Sequence, residues 1–203
     1  MKGAELAIAY LAIETGDFEQ AASIAEKWQQ AHPEKAEGYN IQAAIQIKQG
    51  DIAKAKETLM KSIELQPKNL FALRELTAIA LNEGKEDEAK AWSSKAISLF
   101  PNNVSILKQH YFIVKDSETL ANIKALYESQ KASIQYGLLY AEVLLDLAKP
   151  TEANEILSSY STSINSPKKL WQLKIIAQMK QKNNAEIQNI AQNWLLSNPY
   201  HIE

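Results

Sequence analysis

Residues 50–67 read GDIAKAKETLMKSIELQP, and this stretch decides the fold. It opens on Gly50, a residue that favours the left-handed backbone of a tight turn, and it closes on Pro67, which cannot continue a helix. Between these two ends, apolar residues share one face at helical spacing: Ile52, Ala55, Leu59 and Ile63. The stretch therefore predicts a turn, an amphipathic helix and a helix stop, in that order.

The same pattern recurs 34 positions earlier and 34 positions later. In each copy the Gly, Ala and Pro markers are separated by five and then twelve residues. The three sets are Gly16, Ala21 and Pro33, then Gly50, Ala55 and Pro67, then Gly84, Ala89 and Pro101. A fixed period of this size is typical of a solenoid built from stacked supersecondary units. Each unit is predicted to be a helical hairpin in which the small Ala lets two helices approach closely.

The repeat continues past Pro101 with one shortened copy. There Asp116-Ser117-Glu118 replaces the Gly turn, and either Asp116 or Ser117 can cap the helix that follows. Pro150 is expected to open the second helix of the next copy. The spacing predicts a single array of six hairpins with the bounds 2–35, 36–69, 70–103, 104–133 (short and degenerate), 134–167 and 168–201.

Composition narrows the range of partners. The chain has 22 basic and 24 acidic residues, for a formal net charge of -2, and Arg74 is its one arginine. With no overall positive field and almost no guanidinium groups, nucleic acid is not an expected partner. The mean hydropathy of -0.31 and the lack of a long apolar run exclude a membrane-spanning segment. The absence of cysteine excludes disulfides and zinc-thiolate sites.

No motif for catalysis stands out in the sequence. The three histidines, His32, His110 and His201, have no partner at a spacing suited to a shared metal ion. The glycines never cluster into a phosphate-binding loop, and no Gly-x-Ser-x-Gly element is present. The prediction is a protein that is not an enzyme, with no catalytic residues, no metal and no cofactor. A run of lysines that includes Lys168 and Lys174 is interpreted as a solvated helix face.

The hairpins resemble the tetratricopeptide repeat (TPR), a unit of two antiparallel helices with a terminal Pro. The resemblance covers essentially the whole chain and is specific for the second helix and its Pro. In the first helix of the second unit, Tyr39, Gln42-Ala43 and Gln46 occupy the family's Trp, Leu-Gly and Tyr places. The resemblance implies an all-α, right-handed α-solenoid of about six hairpins, in which the first helices line the concave surface.

That resemblance also implies where a ligand would lie. The candidate groove residues on the first helices are Tyr10, Asn40, Arg74, Lys108, Phe112, Glu142 and Gln172. Some family members hold a terminal carboxylate with a Lys and Asn clamp, but the matching places here are Leu6, Tyr10, Ile41, Phe71 and Glu75. That clamp is therefore absent. The predicted function is a protein- or peptide-binding scaffold that uses the concave face.

The alternative hypothesis is a structural spacer. The chain has no evident polar cap, and its last helix carries Ile187, Ile190, Ala191, Trp194 and Leu195, so the end units are expected to self-associate or to continue into a longer array. It also resembles bacterial TPR lipoproteins of the PEP-CTERM sorting and exopolysaccharide export type. A complete chain would be expected in the cytoplasm, and a fragment of such a lipoprotein in the periplasm or at the outer membrane.

Overall fold

The computed structural model describes residues 2–163 and 165–197. These residues form twelve α-helices and no strand, which confirms the prediction of an all-α helical repeat. The helices are α1 (Lys2–Thr15), α2 (Phe18–Ala31), α3 (Glu37–Lys48), α4 (Ile52–Leu65), α5 (Leu70–Asn82), α6 (Glu86–Leu99), α7 (Val104–Val114), α8 (Ser117–Ser129), α9 (Ile134–Asp146), α10 (Pro150–Ser158), α11 (Lys168–Lys180) and α12 (Asn184–Ser197). Within this part of the chain, no helix is long and apolar enough to cross a membrane.

The three predicted glycine turns have the expected backbone. Gly16, Gly50 and Gly84 follow α1, α3 and α5 with φ values of 82°, 80° and 70°. After the second of them, the Asp51 amide donates to the Gln46 carbonyl at 2.8 Å, which satisfies one of the last carbonyls of α3. The left-handed residue thus ends the first helix of each hairpin and reverses the chain.

The later turns keep this geometry without glycine. Lys115, Ala148 and Lys182 have φ values of 53°, 58° and 58°. A side chain makes this conformation less favourable by about 1–2 kcal/mol. At Ala148 and Lys182 the turn is retained by the packing of the helices on either side, α9 on α10 and α11 on α12, so glycine is not required at these two turns.

The second helices begin with side-chain caps in several copies. The Asp51 carboxylate accepts from the Lys54 amide at 3.5 Å, and the Asp116 carboxylate accepts from the Thr119 amide at 2.7 Å. Of the two caps expected for α8, the structure therefore uses Asp116. Pro150 is the first residue of α10. The small residues of the second helices are fully buried: Ala21, Ala55, Ala89 and Ala153.

The chain divides into two compact units, Met1–Val114 and Lys115–Glu203. The first unit contains α1–α7 and the second contains α8–α12, so the division separates the two helices of the short predicted hairpin. Within each unit the principal interfaces join helices that are at most two elements apart along the chain. Large side chains at the centre of the two cores are Ile41, Leu59, Leu73 and Leu76 in the first unit, and Leu157, Leu170 and Leu173 in the second. The six-hairpin bounds stay a prediction, and residues 198–201 of the last one lie outside the described residues.

Candidate ligand-binding groove

Three first helices, α1, α3 and α5, line an open groove of about 280 Å³ in the first unit. Each of these helices packs on the second helix of its own hairpin, in which Ala21, Ala55 and Ala89 are fully buried. Its lining combines an apolar floor, two aromatic rings and four charged groups: Tyr10, Ile13, Glu14, Ala44, Ile47, Lys48, Phe71, Arg74 and Glu75.

The aromatic part of the groove brings α1 and α5 together. The rings of Tyr10 and Phe71 are 6.3 Å apart between centroids, in a tilted arrangement. The Arg74 guanidinium carbon lies 6.0 Å from the Phe71 centroid, within the range of a cation–π contact. Burial raises the pKa of the Tyr10 phenol, and Glu75 and Glu37 add to this effect while Arg74 opposes it. Tyr10 is therefore a neutral hydroxyl that is 38% exposed and able to donate a hydrogen bond.

The charged groups at the groove are paired with each other. Lys48 Nζ lies 3.0 Å from Glu14 Oε1, and Arg74 Nη2 donates to Glu75 Oε1 at 2.8 Å. The Lys48–Glu14 side chains are 49% and 68% exposed and the Arg74–Glu75 side chains 45% and 20% exposed, so solvent screening keeps the contribution of each pair to stability small. Two cations and two anions leave the groove without net charge. It presents an apolar surface with a polar rim.

Asn40, the second candidate, belongs to a different site. Its Oδ1 accepts from Ser62 Oγ at 2.5 Å and from Asn69 Nδ2 at 2.9 Å. Asn69 Oδ1 in turn accepts from the Ala72 amide at 3.1 Å and caps α5. Ser62 and Asn69 are buried, so this network joins α3, α4 and α5 in the interior. The Asn40 side chain is thus engaged in the packing of three helices and is not among the groove-lining residues.

Lys108 and Phe112 lie on α7, also in the first unit. Both are half-buried, and the Phe112 ring meets the Tyr111 ring edge-on at 5.3 Å. Between them on the same helix, Gln109 Nε2 donates to the Arg74 carbonyl at 3.1 Å and ties α7 to α5. Neither Lys108 nor Phe112 lines the groove itself.

The remaining candidates belong to the second unit. Glu142 on α9 forms an ion pair with Lys169 at 3.0 Å, which links α9 to α11. Gln172 on α11 is exposed. Of the seven candidate residues, the structure thus brings Tyr10 and Arg74 into one groove and places the other five elsewhere.

Sequence reasoning missed several residues that line the groove. Phe71, Ile47 and Lys48 lie three or four positions from Arg74 or Ala44 on the same helix. Residues at this spacing share a helix face. Extending the predicted position Arg74 by one helical turn, and Asn40 by two, would have found them.

The predicted end faces are partly covered. Ile190 on α12 is only 7% exposed, because α12 packs on α11, whereas Leu195 is 47% exposed. At the other end, Ile8 and Leu11 on α1 are 47% and 64% exposed. Self-association through these surfaces stays a prediction.

Comparison with known families and proteins supports the same fold. The tetratricopeptide repeat family model matches residues 36–69, which contain α3 and α4. No curated protein matches the chain significantly.

Solved structures resemble the chain over nearly its full length. A tetratricopeptide repeat protein from Parabacteroides merdae is 13% identical, with a TM-score of 0.66 over 96% of this chain and 79% of its own. Pseudomonas aeruginosa pilF is 13% identical, with a TM-score of 0.62 over 98% of this chain and 93% of its own. YrrB, a TPR protein described as having an unusual peptide-binding site, is 14% identical, with a TM-score of 0.53 over 90% of this chain and 96% of its own. The likeness is one of fold.

Proposed function

We propose that this chain, whose residues 36–69 match the tetratricopeptide repeat, is a non-enzymatic scaffold that binds an extended protein or peptide segment in the groove of α1, α3 and α5. The observation that carries the proposal is the open surface in which Tyr10, Phe71 and Arg74 lie together. YrrB, which has a similar fold, is described as having a peptide-binding site, and this supports a peptide-binding role for the present chain.

The groove suits a ligand that is mainly apolar at its centre. An aliphatic or aromatic side chain of the partner would pack against the outer surface of the Tyr10–Phe71 pair, where exposed aromatic surface is removed from water. The Tyr10 hydroxyl would donate to a backbone carbonyl of the partner. Because an extended segment must be ordered when it binds, part of the contact energy is offset, and the affinity is expected to be moderate.

A photocrosslinking experiment tests this proposal. A photoreactive amino acid replaces Ile47 in the groove or, as a matched control, exposed Lys61 on the outer helix α4. A discrete partner crosslinked through position 47 and not through position 61 is the expected result. Reproducible crosslinks that map only to second helices such as α4 would show that the groove is not the binding surface.

Affinity measurements with the captured segment then test the groove residues. Tyr10→Ala and Arg74→Ala are each expected to weaken binding by about tenfold or more, the usual loss for a well-packed aromatic or arginine contact. Lys61→Ala is expected to bind as the unmodified chain does.

The alternative is a structural spacer within a longer bacterial envelope lipoprotein linked to protein sorting or exopolysaccharide export. Its contacts would be made by the end units, and Tyr10→Ala, Arg74→Ala and Phe112→Ala would leave it working. The groove proposal requires loss of binding in the first two of these variants.

A further inference from the structure

A second cavity, of about 340 Å³, lies wholly within the second unit among α10, α11 and α12. Its volume is within the range of small-molecule sites, about 300–1,000 Å³. The lining is mainly polar and includes Asn154, Ser158, Lys174, Gln178, Glu186 and Asn193. It shares no residue with the groove, so an inference about it is independent of the proposed scaffold function.

Gln178, whose carboxamide is one of the polar groups of this cavity lining, is only 4% exposed. With its Nε2 donating to Asn154 Oδ1 at 2.9 Å, the Oε1 atom has no hydrogen-bond partner among the described residues. A buried acceptor without a partner is unfavourable, and such groups are rare in folded proteins. Oε1 has essentially no solvent-accessible surface, so a ligand donor would reach it after a rotation of the Gln178 carboxamide towards the cavity, and that hydrogen bond would remove the cost.

Two opposite charges line the same cavity. Lys174 Nζ donates to the Tyr160 carbonyl at 3.1 Å, which uses one of its three N–H groups. Burial lowers the pKa of the Lys174 ammonium, and the nearby Glu186 carboxylate opposes this shift without forming an ion pair with it in the described part of the chain. The cavity lining therefore contributes one cation, the Lys174 ammonium, and one anion, the Glu186 carboxylate. Each can bind a ligand group of opposite charge.

We propose that this cavity binds a small zwitterion of the free α-amino acid class. The ligand carboxylate would accept from Lys174 Nζ, and its ammonium group would donate to Glu186 and to Gln178 Oε1. This arrangement satisfies the unpartnered acceptor and neutralises both charges at once. A neutral polyol would leave both charges unpaired, and a simple anion would leave Glu186 and Gln178 without a donor.

Calorimetric titration of the full chain with each standard L-amino acid tests the proposal. At least one is expected to bind saturably. Its N-acetyl derivative, which lacks the ammonium group, and its amide, which lacks the carboxylate, are each expected to bind about tenfold more weakly or worse. These two ligand comparisons need no variant, so they remain informative whatever a substitution does to folding.

Variants locate the site. Lys174→Met and Glu186→Gln are each expected to weaken binding of the same amino acid by about tenfold or more, whereas Lys168→Met, at an exposed position on the same helix, leaves it unchanged. Absence of binding by every amino acid at about 10 mM, far above a Kd of 1 mM, would overturn the proposal. So would equal binding of the N-acetyl or amide derivative, or binding that persists in both cavity variants.

Discussion

The left-handed turn at Ala148 gives a sharp quantitative test of how the repeat is built. Ala148 has a φ of 58°, a value that favours glycine, and it occupies the place that Gly16, Gly50 and Gly84 fill in earlier copies. Its side chain is exposed, so removing the methyl group takes away almost no packing. The substitution Ala148→Gly therefore changes the backbone preference and little else.

Two opposing effects determine the size of the change. Releasing an L-residue from the left-handed region is favourable by about 1–2 kcal/mol. Glycine also makes the unfolded chain more flexible, which is unfavourable by about 0.4–1 kcal/mol. The midpoints of these ranges differ by about 0.8 kcal/mol, so Ala148→Gly is predicted to raise the free energy of unfolding by about that amount. For a chain of 203 residues this corresponds to a Tm increase of about 2 °C.

Urea denaturation followed by far-UV circular dichroism measures this difference. Ala125→Gly is the matched control, because Ala125 is exposed within α8 and has ordinary helical backbone, so the same chemical change is expected to destabilise by about 1 kcal/mol. The reverse change, Gly50→Ala, is expected to destabilise through the backbone alone, since a Cβ there would meet nothing within 4 Å. If Ala148→Gly lowered stability as Ala125→Gly does, the explanation of the glycine-free turns would be refuted.

Three further predictions concern single packing features. Asn69→Ala removes the α5 cap and the hydrogen bonds to Asn40 and Ser62, so it is expected to lower the free energy of unfolding, measured by urea denaturation, by about 2–3 kcal/mol. The control Asn103→Ala removes only a cap and is expected to lower it by about 1 kcal/mol. Gly137→Ala places a Cβ against the Tyr160 ring and is expected to cost about 1–3 kcal/mol, with an altered near-UV spectrum; an unchanged Tm would contradict the close contact. Because burial lowers the pKa of Lys174, the folded chain binds fewer protons there than the unfolded chain, and this residue is expected to make stability rise as pH increases from its lowered pKa towards the ordinary lysine value. Lys174→Met should flatten that rise in a series of alkaline Tm measurements.

The fold could be predicted because its determinants are local. A glycine turn, a small buried residue and a helix-ending proline each act within a few positions of the backbone, so Gly50, Ala55 and Pro67 were sufficient to define a hairpin. The later turns were harder to predict because Ala148 and Lys182 adopt the same left-handed backbone as the glycines. Helix packing retains this conformation, and neither residue type indicates such a turn in the local sequence.

The groove was only partly predictable from the sequence. Helical spacing shows which face of a helix a residue lies on, but not which side chains of other helices it contacts. Tyr10 and Arg74, predicted on separate helices, line the same groove in the structure. Asn40 shares the predicted face, yet its side chain bonds Ser62 and Asn69, which lie 22 and 29 residues away along the chain. Likewise, Lys174 belongs to a lysine-rich stretch interpreted as solvated, but it is half-buried, and the Tyr160 carbonyl accepts a hydrogen bond from its ammonium group.

The pairing of each helix with partners one or two elements away also bears on the speed of folding. Contacts of this kind close short loops, and the entropy lost in closing a loop grows with its length. Chains dominated by such local contacts fold in roughly microseconds to milliseconds. A stopped-flow refolding experiment is therefore expected to show a rapid main phase, which limits the time during which apolar helix faces are available for aggregation.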